Sequence, residues 1–141
     1  MNQINEINEI NQIDKIDVST CPSGEPFPLP REEDYKEEWT RLQKLVEEQR
    51  LLGREIVVVL GLGFVGAVMA GVIADSVDRV GGKPGKFVIG MQRPSTRSYW
   101  KIAYLNRGIS PIQAEDPEVA PLINRCVKEK KTLIATFQVW I

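Results

Sequence analysis

The spacing of hydrophobic residues changes character along this 141-residue chain, and each change marks an element. Residues 2–16 place Ile at every third position in Asn-Gln-Ile and Asn-Glu-Ile triplets, a period that fits neither a strand nor a helix. That segment reads as a low-complexity, disordered tail. Residues 17–30 hold Pro22, Pro26, Pro28 and Pro30 and read as an extended linker. Over 31–52 the period turns helical, with Tyr35, Trp39, Leu42 and Val46 on one stripe. Glu32, Glu33 and Asp34 suit the positive end of that helix, and Gly53 suits its stop.

A β-branched run predicts a strand over Glu55–Leu60, followed by a helix over Phe64–Val77. Gly81, Gly82, Pro84 and Gly85 mark a loop, and Phe87–Ile89 a second strand. Ser95 reads as the N-cap of a helix that turns Tyr99, Ile102 and Ala103 inward and stops at Gly108. A further helix from Asp116-Pro117 carries Val119, Leu122, Ile123 and Cys126, with its start left open by Pro121. A last strand spans Thr132–Phe137. Strands alternating with helices predict an α/β fold: a partial, three-stranded, Rossmann-like parallel sheet, preceded by the amphipathic helix and the tail. The expected division is 1–30 tail and linker, 31–53 helix, and 54–141 partial parallel-sheet domain.

Charge and composition narrow the function classes. With 18 basic and 19 acidic residues, net charge −1, there is no electrostatic footprint for nucleic acid. The absence of histidine excludes His-based general-base catalysis and His metal ligation. Cys21 and Cys126 have no metal-ligand spacing, no metal is expected, and a disulfide between them is not expected. Cys126, on the inward side of its helix, reads as core. The N-terminus lacks the apolar stretch of a secretory signal, so a cytoplasmic location is expected.

The segment Val59-Leu60-Gly61-Leu62-Gly63-Phe64-Val65-Gly66 sets a GxGxxG turn between strand and helix. Gly61 permits the tight turn, Gly63 lets backbone approach a pyrophosphate, and Gly66 lets the helix lie against its strand. The helix N-terminus offers free N–H groups to phosphate. Two other readings stay open. One is a structural glycine turn without a ligand. The other is a membrane span, because Ile56–Ala74 carries no charge and is about long enough to cross a bilayer. Two glycines within three positions and the missing aromatic belt argue against the span.

Gly61–Gly66, the strand end Val88-Ile89-Gly90 and the stretch Leu105-Asn106-Arg107-Gly108-Ile109-Ser110-Pro111-Ile112 together resemble the N-terminal domain of the UDP-glucose/GDP-mannose (nucleotide-sugar 6-) dehydrogenase family. Similarity covers residues 54–137 and includes Leu133-Ile134-Ala135-Thr136 as a third strand. The resemblance implies NAD as cofactor and oxidation of a sugar-nucleotide C6 alcohol to a carboxylate through a cysteine-bound intermediate. It also implies that the catalytic residues lie downstream of this domain, so no catalytic residue is expected here. By the same resemblance Gly61, Leu62, Gly63, Phe64, Val65 and Gly66 bind the pyrophosphate, and Gln92, Arg93, Arg97 and Thr136 lie near the rest of the cofactor. Gln92 stands where the family has a ribose-binding acid, and the adjacent Arg93 brings NADP into play through a 2′-phosphate.

Several expectations follow. The first strand has an unpaired apolar edge, open to self-association unless helix 31–52 covers it. The chain alone turns over no substrate, and a nucleotide sugar is a partner only in a full-length enzyme. The other function class is a non-catalytic interaction or regulatory fragment.

Overall fold

Short apolar runs rich in β-branched residues lay down the framework in a computed structural model, which describes residues 17–139. A hairpin of β1 (Val18–Thr20) and β2 (Pro26–Pro28) precedes α1 (Glu32–Leu51), β3 (Glu55–Leu60) and α2 (Phe64–Asp75). Then come β4 (Lys86–Met91), α3 (Trp100–Asn106), α4 (Val119–Asn124) with a π turn over Arg125–Glu129, and β5 (Leu133–Thr136). β3, β4 and β5 form one parallel sheet with β4 in the centre and β3 at an edge. This is the 3-2-1 half of a doubly wound, Rossmann-like fold. The triplet repeat of residues 2–16 lies outside the described residues.

Side-chain alternation gives the sheet two apolar faces. Val59, Val88, Leu133 and Ala135 pack with α2, α3 and α4, through Ala70, Ala74, Leu105, Ile123 and Cys126. On the opposite face Leu42 of α1 joins Phe87 and Ile89, with Val46, Ile56 and Ile134 around them. So α1 lies on a face of the sheet rather than beside its first strand. Among the described residues, no strand pairs with the outer edge of β3.

Local chemistry explains most boundaries. Asp34 Oδ2 accepts from the Arg31 N–H at 2.8 Å, which anchors the start of α1. At its end Gly53, with φ 78°, closes a Schellman motif: Gly53 N–H donates to Arg50 O at 2.9 Å and Arg54 N–H to Gln49 O at 3.1 Å. The uncharged run Ile56–Ala74 is divided into β3, the glycine turn and α2. No helix among the described residues is long and apolar enough to cross a membrane.

Residues 17–30, read from sequence as an extended linker, instead pair with themselves. Cys21 N–H donates to Glu25 O and Leu29 N–H to Asp17 O, which places Pro26 and Pro28 at ladder positions that need no N–H. The hairpin then docks on α3. Ser19 is fully buried and its Oγ accepts from Trp100 N–H at 3.1 Å. Glu25 takes a bidentate pair from Arg107 at 2.8 and 2.9 Å.

The π turn has a visible consequence. Arg125 and Lys130, five residues apart, meet one carboxylate, Asp75 at the C-terminus of α2. Arg125 Nε and Nη2 donate to Asp75 Oδ1 and Oδ2 at 2.9 and 2.8 Å, and Lys130 Nζ lies 2.8 Å from Oδ1. Lys130 also donates to the Asp75 carbonyl at 2.9 Å, offsetting the negative helix end. The Arg125 hydrogen bonds, then those of Lys130, hold the Asp75 carboxyl well below the usual carboxylate range. A depressed carboxyl contributes stability that is present above its unfolded pKa and lost as pH falls through the folded one. Urea midpoints should therefore fall as pH drops below about 4. Asp75→Asn should lower stability by about 1–2 kcal/mol at neutral pH, a value discounted for partial exposure, and flatten that acid limb.

Candidate functional site

The carboxyl ends of β3, β4 and β5 converge, and the glycine turn sits above them. Gly61 has φ 93°, a left-handed conformation that favours glycine, and its N–H donates to Met91 O at 2.7 Å. The chain then doubles back so tightly that a Cβ on Gly66 would lie 1.8 Å from the Gly61 carbonyl oxygen. A Cβ on Gly63, by contrast, would meet nothing within 4 Å. Gly63 is the N-cap of α2 and supplies no side-chain cap. The first intrahelical bond is Ala67 N–H to Gly63 O at 2.9 Å, so the N–H groups of Phe64, Val65 and Gly66 emerge at the helix end. The result is a cradle of backbone donors at a positive helix end, open on the side of Gly63.

Two residues hold this turn against the second strand. Leu62 is fully buried beneath it, and a Cβ on Gly90 would come within 2.6 Å of Leu62 Cδ2. Gly90 thus makes the space that Leu62 fills, a role that motif matching alone does not assign. Gln92, just past β4, accepts from Leu62 N–H through Oε1 at 2.8 Å, and its own N–H donates to Thr136 O at 3.0 Å. Because Leu62 N–H must meet an acceptor, the Gln92 amide oxygen is committed to the turn and Nε2 is left for a ligand.

The other predicted positions divide. Arg93 and Arg97 are exposed on the loop after β4, and neither guanidinium is paired with an acid among the described residues. Their carbonyls serve the loop, accepting from Ser98 Oγ at 3.1 Å and from Trp100 Nε1 at 2.8 Å respectively. Thr136 is fully buried, and its hydroxyl donates to Gln138 O at 3.2 Å. It reaches the turn only through its carbonyl, which positions Gln92. Phe64 and Val65 project into solvent, 60% and 70% exposed, so this part of the turn contributes backbone rather than side-chain donors.

The Leu105–Ile112 stretch is structural here. Asn106 lies against the outer edge of β5: its Oδ1 accepts from Ala135 N–H at 2.8 Å and its Nδ2 donates to Ala135 O at 3.1 Å. One carboxamide thus does the work of a neighbouring strand. Gly108, at φ 79°, ends α3 with Ile109 N–H donating to Tyr104 O at 3.0 Å. Neither cysteine stands at the turn. Cys126 is fully buried in the core, and burial pushes its thiol up. Cys21 lies in the hairpin: burial raises its thiol, but hydrogen bonds with Ser23, Tyr104 and nearby backbone outweigh this and bring it to about 7.

No family model matches this chain, and no curated protein does. Among solved structures the chain is similar to the NDP-N-acetyl-D-galactosaminuronic acid dehydrogenase from Methanosarcina mazei Go1, at 36% sequence identity over 67% of this chain, with a TM-score of 0.49. The match takes in 18% of that protein, so the chain spans less than a fifth of its length.

Proposed function

We propose that the chain is the NAD(P)-binding portion of a nucleotide-sugar dehydrogenase, with the turn Gly61–Gly66 holding the cofactor pyrophosphate. The observation that supports this most directly is the contrast between two glycines of the turn: no Cβ fits at Gly66, while the space over Gly63 is open. The emerging N–H groups of Phe64, Val65 and Gly66 would take the phosphate oxygens, with the α2 dipole adding to their pull. When bound, NAD supplies a hydride acceptor. The residues named here bind and orient it.

The adenosine half would lie towards β4, beside Gln92, Arg93 and Arg97. Gln92 keeps Oε1 on Leu62 N–H and offers only Nε2 to a ribose hydroxyl oxygen. A Gln92→Glu chain keeps one oxygen on Leu62 and points the other at the hydroxyls as a charged acceptor. It should shift preference towards NAD over NADP by about tenfold, since a carboxylate attracts a hydroxyl and repels a 2′-phosphate. Calorimetric titration of both chains with NAD, NADP and ADP-ribose tests the reading.

In a full-length enzyme the substrate would be a UDP- or GDP-sugar oxidised at C6 to the carboxylate. The chain by itself should release no NADH from such sugars. A non-catalytic interaction fragment is the second reading, favoured by the exposed apolar edge of β3. Absence of heat with all three ligands would select it.

A further inference from the structure

We propose that the N-terminal hairpin sets the cofactor preference of the chain: through Ser19 and Trp100 it holds Arg97, which together with Arg93 takes the 2′-phosphate of NADP. That role rests on the reading of Gly61–Gly66 as the pyrophosphate cradle. Residues 92–99 leave the carboxyl end of β4 as a loop with two guanidinium groups and no carboxylate. Arg41, Arg107 and Arg125 each meet an acid, whereas Arg93 and Arg97 are exposed and paired with none among the described residues. Their backbone is nonetheless fixed. Ser98 Oγ donates to Arg93 O at 3.1 Å and Trp100 Nε1 to Arg97 O at 2.8 Å. Ser98 and Tyr99 N–H both donate to Ser95 O, at 3.2 and 3.0 Å. A held backbone with two free guanidinium groups is a preorganised site for an anion.

Gln92 selects which anion. Its Oε1 is occupied by Leu62 N–H at 2.8 Å, and it brings no negative charge to the ribose side of the turn. A carboxylate there would attract the two hydroxyls of NAD and repel a 2′-phosphate. The amide removes that repulsion, and the planar guanidinium forks match phosphate oxygens two at a time. NADP differs from NAD by that phosphate alone, so the two arginines act on the difference between them.

Trp100, the first residue of α3, joins this loop to the hairpin. Its backbone N–H donates to Ser19 Oγ at 3.1 Å, and Ser19 is fully buried. Its ring packs edge-on against Tyr104 at 5.0 Å, and Tyr104 in turn meets Phe27 of β2 at 6.4 Å. Tyr104 Oη also lies 3.2 Å from Ser23 Oγ, and the Glu25–Arg107 pair fastens the hairpin loop to the end of α3. The hairpin thus fixes both the backbone and the ring of Trp100, whose indole N–H fixes the Arg97 carbonyl. Ser19 and Trp100 are positioning residues that act through Arg97.

The test is calorimetric titration of the full chain with NAD, NADP, ADP-ribose and 2′-phospho-ADP-ribose, the fold of each variant being checked by circular dichroism. The phosphorylated ligand of each pair should bind ~10-fold more tightly or better. Arg97→Ala should lower that ratio by ~10-fold, and Arg97→Lys should restore part of it. Trp100→Phe keeps the ring and deletes the indole N–H; with Ser19→Ala it should lower the ratio by ~3-fold or more. On an Arg97→Ala background neither change should lower it further, because both act through that side chain. Lys101→Ala removes a nearby charge of the same sign and should leave the ratio within ~2-fold. Equal binding of NAD and NADP overturns the proposal and leaves the pyrophosphate cradle standing, whereas no binding of any ligand overturns both. Additive effects of Trp100→Phe and Arg97→Ala overturn the positioning role, and an effect of Lys101→Ala as large as that of Arg97→Ala replaces the site with diffuse charge.

Discussion

Gly66→Ala is expected to cost the fold about 3 kcal/mol, at the upper end for overpacking, because its new methyl would overlap backbone rather than a side chain. The nearest atom is the Gly61 carbonyl oxygen at 1.8 Å, followed by the Gly61 carbonyl carbon at 2.9 Å. Side chains yield to a methyl by changing rotamer, but this carbonyl belongs to a turn pinned by Gly61 N–H to Met91 O. Relief therefore requires either lifting α2 from β3 or breaking the turn. Gly71→Ala in the same helix is the control. There the closest atoms are side-chain carbons of Leu122 and Ile123 at 3.0 and 3.1 Å, which can shift, and alanine gains about 1 kcal/mol of helix propensity. Urea unfolding followed by circular dichroism should separate the two substitutions by several kcal/mol. Equal effects would show that the turn carries no special constraint.

The order of elements from α1 to β5 is legible in sequence because each rests on a local pattern: the stripe Tyr35–Val46, the β-branched run before Gly61, the short apolar run of β5. The parallel sheet follows from that order and from the handedness of crossovers. What was not legible depends on residues distant in the chain. Ser95 has the chemistry of an N-cap, yet its hydroxyl bonds to Ser98 Oγ at 2.6 Å. α3 begins five residues later, where Trp100 N–H meets Ser19 from the hairpin. The prolines of residues 17–30 argue for an extended chain only until their ladder positions are known.

The candidate site divides in the same way. The glycine turn announces itself, because the demands at Gly61 and Gly66 arise within six residues of chain. The Gln92 amide and the Asn106 carboxamide do not, since a sequence gives residue type but not which partner is met. Gln92 reads from sequence as a weakened ribose ligand, and in the structure its amide oxygen braces Leu62. Asn106, in the Leu105–Ile112 stretch, spends both polar atoms on Ala135.

Gly63→Asp should move stability and binding in opposite directions. With φ −74° and ψ −166°, Gly63 already has the extended conformation of an N-cap, and a Cβ there would meet nothing. An aspartate can adopt that backbone without strain, accept from the N–H groups of the first turn, and face the positive end of α2. The fold should gain up to about 1 kcal/mol. The same carboxylate would occupy the space left for the pyrophosphate, use the donors it needs, and repel its charge. Binding of NAD or ADP-ribose should weaken by at least ~100-fold, or about 2.7 kcal/mol. Thermal unfolding and calorimetric titration on one preparation give both readouts. If the turn were a purely structural glycine corner, stability would rise and the titrations of the two chains would be indistinguishable. If Gly63 instead served the fold, stability would fall. Only a phosphate cradle predicts a more stable chain that has lost its dinucleotide.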